Sequence, residues 1–147
     1  MEVPAPGSGA LLVHDELFLI RSEARIIWCH VLTPQRVSPA RGAAAAEAMA
    51  AYLIEHVLQR RSPWLGLVLD IRKGPSVFGP VTRAAVQRMF EQAERARKRV
   101  GVLVAVSPVQ RAQFAELAAG HAPRYCQVTD AERAALDWVN GSVAPEG

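Results

Sequence analysis

The sequence predicts one α/β domain: a mixed, mostly parallel sheet with an N-terminal β-hairpin and about four helices. Two observations carry that prediction. Residues 64–71 (WLGLVLDI) and 100–106 (VGVLVAV) are apolar runs rich in β-branched and aliphatic side chains, the pattern of strands buried on both faces. Each is followed by apolar residues at helical spacing, and strand–helix alternation of this kind builds parallel sheets covered by helices. Composition agrees. A chain of 147 residues, 50% hydrophobic and 21% charged, suits a single domain with its own core and excludes wholesale disorder. No apolar run approaches the roughly 20 residues that span a bilayer.

The elements follow in order. Runs 11–13 and 17–20 are short and apolar, and whether the first forms its own strand stays open on the sequence alone. The polar break at 21–25 before residues 26–32 (IIWCHVL) predicts a hairpin into a strand. Ser38-Pro39 supplies an N-cap and a first helical residue. Met49, Tyr52, Leu53 and Val57 then mark one buried helix face, ending near 60–63. The buried strand 64–71 closes in Asp70. A second amphipathic helix covers roughly 80–99, with Val86, Met89, Phe90 and Ala93 inward. After the strand at 100–106, Ser107-Pro108 opens a third helix with Phe114, Leu117 and Ala118 inward and Gly120 at its end. Residues 124–128 predict a short strand. Thr129 with Glu132 three residues later matches a capping box for a last helix carrying Leu136, Trp138 and Val139. The expected order is β-β-α-β-α-β-α-β-α over residues 10–140, with loose tails at 1–9 and 141–147.

Charge narrows the partners. Lys and Arg number 17 against 14 Asp and Glu, a formal net charge of +3, which plain solubility explains. The second helix is basic (Arg83, Arg88, Arg95, Arg97, Lys98, Arg99), yet Glu91 and Glu94 alternate with these cations. A Glu91–Arg95 pair four residues apart is expected on such a solvated face. Without interleaved aromatic residues, nucleic acid is not the predicted partner. Cys29 and Cys126 lack metal-ligand spacing and read as reduced, buried thiols of a cytoplasmic protein. No metal or other cofactor is implied.

Asp70 is the first candidate functional residue, because open α/β sheets place ligands at the carboxyl ends of their strands. An acid there can act as a general base or simply hold the next loop by accepting backbone N–H bonds. The loop 72–80 (RKGPSVFGP) is the most unusual segment, with two cations (Arg72, Lys73), two Gly-Pro pairs, Ser76 and Phe78. It lacks the spacing of a phosphate-binding P-loop. It suits either a rigid connector or a surface that receives a partner. His14, His30, His56 and His121 show no metal or catalytic spacing, and no nucleophile elbow is present. On a strand, Cys29 and His30 point to opposite faces.

This alternation, with LVLDIR at 67–72 and YCQVTDAERAALDWV at 125–139, resembles the STAS-like proteins related to the anti-sigma-factor antagonists. The resemblance spans roughly residues 17–139. It implies a domain of bacterial-type signalling in which a Ser or Thr at the start of the helix after the Asp70 strand is phosphorylated by a partner kinase. The modification adds about two negative charges beside a helix N-terminus. The usual Asp-Ser-Ser-Gly cluster is replaced here by Gly79-Pro80-Val81-Thr82, so Thr82 is the nearest acceptor and Ser76 the next.

The functional expectation is a non-enzymatic, cytoplasmic module. It binds a protein partner through Asp70, Arg72, Lys73, Ser76, Phe78 and Arg83. The alternatives are a small-molecule or lipid-binding carrier and an enzyme using Asp70 as acid or base. The amino-terminal hairpin leaves an edge through which a homodimer can form.

Overall fold

A computed structural model describes residues 9–32, 37–75 and 77–141. The elements are β1 (Ala10–His14), β2 (Phe18–Glu23), β3 (Ile26–Val31), α1 (Pro39–His56), β4 (Gly66–Asp70), α2 (Pro80–Ala96), β5 (Arg99–Leu103), α3 (Pro108–His121), β6 (Cys126–Thr129) and α4 (Glu132–Val139). They form one α/β domain whose six strands lie in sequence order across a single sheet. The first three pair antiparallel, and β3 to β6 pair parallel.

The topology follows from handedness. Three consecutive strand–helix–strand units each cross over in the same sense, so α1, α2 and α3 stack side by side on one face of the sheet. Period-two alternation sends Ile27, Cys29, Leu67, Leu69, Val100 and Val102 into that layer, where they meet Met49, Leu53, Met89, Phe90 and Phe114. The intervening residues Ile26, Trp28, Val68 and Leu103 face the other way and pack on Ala135, Trp138 and Val139 of α4. Gly101 lets α4 settle close to the sheet, because a Cβ there would lie 3.1 Å from the Ala135 carbonyl oxygen.

Several expectations shift. Residues 10–14 form a strand of their own, paired to β2 through a register slip between Leu11 and Val13; such a slip twists an edge strand and discourages further pairing. The strand predicted at 100–106 ends at Leu103 because Ser107 must turn the chain into α3, where its hydroxyl accepts from Gln110 N–H. The capping box does not form. Thr129 belongs to β6, Ala131 is the N-cap of α4, and the Thr129 hydroxyl accepts instead from Ala131 N–H. The Ser38 cap of α1 forms as expected, accepting from Arg41 N–H at 3.1 Å. Glu91 does not pair with Arg95: it meets His121 of α3 at 3.2 Å, and Arg95 donates to Gln92. Helix–helix packing brings a better partner than the helix's own surface does. The tails at 1–9 and 141–147 lie outside the described residues except for Gly9 and Gly141.

Replacing Gly101 by Val pushes branched atoms against the α4 backbone. The expected cost is about 1–3 kcal/mol, read as a lower midpoint in urea denaturation; an unchanged midpoint would remove the close-approach account of α4.

Candidate functional site

The carboxyl ends of β3 and β4 carry two different environments, one on each face of the sheet. Alternation along β4 and the residues after it decides which side chain enters which. Leu69 and Ile71 point into the helical layer, and Asp70 points to the opposite face.

On the Asp70 face lies a polar chain. The parallel register sets His30 of β3 directly beside Asp70 of β4, and His30 Nδ1 lies 2.8 Å from Asp70 Oδ2. Arg21 of β2 donates from Nε to His30 Nε2 at 2.9 Å. A guanidinium only donates, so Nε2 is the acceptor and the His30 ring carries its proton on Nδ1, donated to Asp70. Arg21 also reaches Glu23 and lies over the Trp28 ring, on which the His30 ring stacks. Arg72 closes the other end. Its backbone N–H and Nε donate to Asp70 Oδ1, its Nη2 donates to Oδ2, and Nη2 extends to Glu132 of α4 at 3.5 Å.

Asp70 is thus buried and accepts four hydrogen bonds, two on each oxygen. Burial opposes its ionisation, but the donors His30 and Arg72 outweigh that cost and hold the carboxyl well below the usual carboxylate range. Every lone-pair direction is taken. The arrangement can lock the start of the loop after β4; it offers no free oxygen to a metal or a substrate proton. His30 has both ring nitrogens engaged in the same way. Leu19, His30, Val31, Leu32, Asp70, Arg72 and Lys73 line a small pocket of about 290 Å³ here.

The helical face holds a much larger space, about 740 Å³. Gly42, Ala45, Ala46 and Met49 of α1 form one wall. Phe18, Leu69 and Ile71 form its floor. Pro75, Val77 and Phe78 from the loop, Thr82 and Val86 from α2 and Phe114 from α3 complete it. Among the described lining residues none is charged, and Ser38 and Thr82 are its hydroxyl groups. Gln110 fixes the loop wall: its buried side chain donates to the Ile71 and Pro75 carbonyls and accepts from Ala105 N–H.

The residues expected to form one partner-binding surface are therefore divided. Asp70, Arg72 and Lys73 stand on the polar face. Phe78 and Thr82 belong to the apolar cavity, and Phe78 is half-buried against Phe114 with ring centroids 5.3 Å apart. Arg83 lies further along α2 and pairs with Glu116 of α3 at 3.1 Å. Ser76 falls outside the described residues. The cysteine expectation is met in part: Cys29 is buried and Cys126 half-buried, neither is in a disulfide, and burial pushes both thiols far up.

Two features lay beyond sequence reasoning. The Arg21–His30–Asp70 chain joins residues 9 and 40 positions apart, and only strand register brings them together. The cavity is made by what α1 lacks. The alanines at 43–46 are good helix formers by residue type, and their missing volume was the available signal.

Compared with protein-family models, curated proteins and solved structures, the chain finds no match. Among the described residues no helix is long and apolar enough to cross a membrane, and no group of side chains is arranged to hold a metal ion.

Because the folded Asp70 carboxyl ionises more readily than the unfolded one, its stabilisation is fully present above the ordinary carboxylate pKa of about 4 and is lost as pH falls below it. Asp70→Asn is expected to cost about 1–3 kcal/mol at neutral pH, and the gap from the wild type to narrow as unfolding is measured from pH 5 down to about pH 2. A gap that stays constant in acid would disprove the ionic account.

Proposed function

We propose that this chain is a non-enzymatic binding domain that holds an apolar small molecule in the cavity between α1, α2 and the loop after β4. The wall of that 740 Å³ space, uncharged among the described lining residues, carries the reading. Binding sites for small molecules are concave, mostly apolar and of this size, with a few polar groups that orient the occupant. A charge along the buried part of a ligand would find no counter-ion among the described lining residues, so the occupant is apolar where the cavity encloses it. The two titratable groups best placed for chemistry, Asp70 and His30, lie on the other face with their hydrogen-bonding capacity spent. A carrier or sensor in the cytoplasm fits this arrangement better than a catalyst.

A protein-binding role of STAS-like type is the second reading, and a specific observation favours it. Val77 and Val81 on the rim of the cavity are 66% and 43% exposed, and Val106 on the neighbouring loop is 92% exposed. A partner seated on these valines would cover the mouth of the cavity. The two readings then describe one device, in which occupancy of the cavity sets the shape of a docking rim. Phosphorylation at Thr82, which the resemblance implies, would place a dianion against an apolar wall and oppose occupancy.

The test is titration with Nile red, an uncharged apolar fluorophore, followed by its blue-shifted emission. Wild type is expected to bind it saturably. Ala46→Trp fills the space from α1 and should weaken binding by at least about tenfold, the equivalent of 1.4 kcal/mol, with circular dichroism confirming that the helices remain. Saturable binding that survives Ala46→Trp would place the dye elsewhere and sink the cavity reading; Val77→Asp, which leaves the cavity floor intact, separates the rim from the interior.

A further inference from the structure

The apolar cavity and the small polar pocket share two wall residues, Val31 and Leu32, where β3 runs out. One space lies on the helical face and the other on the Asp70 face, and these two residues line both. The polar side has three charged lining residues. Asp70 and Arg72 satisfy each other through a two-pronged ion pair. Lys73 is exposed and has no ion pair or hydrogen bond among the described residues. With His30 engaged at both nitrogens, the described lining residues carry one cation in excess, and among them Lys73 is the cation free to move.

We propose that the ligand is a single-chain amphiphile with a carboxylate head, whose chain lies in the apolar cavity and whose head reaches past Val31 and Leu32 to Lys73. The proposal rests on the cavity reading and adds the chemistry of the head. An uncharged interior selects against charge along the chain. An ammonium unpaired among the described residues at the border of that interior favours one negative charge at its end, and partial removal from water strengthens the attraction. Lys73 suits this work because its flexible stem follows a head group without disturbing a packed partner. Arg72 does not, since moving it would break the Asp70 ion pair that anchors the loop.

The experiment compares dodecanoate with dodecanol, two probes of equal chain length that differ in head charge, by displacement of bound Nile red from the purified full chain. Wild type is expected to bind dodecanoate about fivefold more tightly than dodecanol, the scale of one partly exposed ion pair. Lys73→Gln, at an exposed position that leaves the fold unchanged, should bring the two affinities together without altering that for dodecanol. Ala46→Trp should weaken both probes alike. Equal affinities in wild type, or a carboxylate preference that persists in Lys73→Gln, would overturn the head-group assignment while leaving the cavity reading intact. Failure of Nile red and both probes to bind at all would overturn the cavity reading and the head-group assignment together.

Discussion

Period-two alternation at the end of β4 is the constraint on which the rest of the molecule depends. Leu69, Asp70 and Ile71 leave the sheet on alternating sides, and a one-residue slip would exchange them. Such a slip would put a carboxylate into a layer of Met, Phe and Ala and expose two aliphatic side chains. Burying an unpaired carboxylate is among the largest single penalties available to a fold. The register of the central strands is therefore held from both faces at once: by aliphatic packing on one side and by the His30–Asp70–Arg72 bonds on the other.

The polar chain is a fastening rather than a reaction centre. It runs from Glu23 and Arg21 on β2, through His30 on β3 and Asp70 on β4, to Arg72 and Glu132 on α4. Three strands and one helix are joined by hydrogen bonds to charged groups, each stronger than its neutral counterpart. Its position matters because Arg72 begins the loop that walls the cavity. Gln110 grips the same loop at Ile71 and Pro75. The chain between those grips is short, so the wall is fixed at one end and carries its most exposed valine, Val77, beyond the second grip.

The cavity itself comes from a mismatch in side-chain size. In its first half α1 presents glycine and alanine toward the sheet, and only from Met49 onward does it present larger groups. Met49 and Leu53 of its carboxyl half fill the core beneath them, whereas Ala45 and Ala46, though buried, are small and border the cavity. An alanine-rich helix start is thus compatible with two outcomes, close approach to the sheet or a hollow beneath it. Here the second is found, with Phe18, Phe78 and Phe114 lining the hollow.

Two things were determined by the sequence alone. Periodicity and punctuation placed the helices and the central strands, because buried strands must be apolar throughout and helices must begin at caps such as Ser38 and Ser107. The same reading placed Asp70 at a strand end, and its loop-holding role was available from residue type. Tertiary structure decided the remainder. Sheet register paired His30 with Asp70 and Arg21, residues with no local relation. Helix packing gave Glu91 to His121 instead of Arg95, and the position of α1 over the sheet turned three alanines into a cavity wall. Local patterns specify what a segment becomes, because propensity and amphipathicity act over a few residues. Which side chains meet across the sheet depends on how strands align and how helices cross, and those distances exist only once the whole chain has closed.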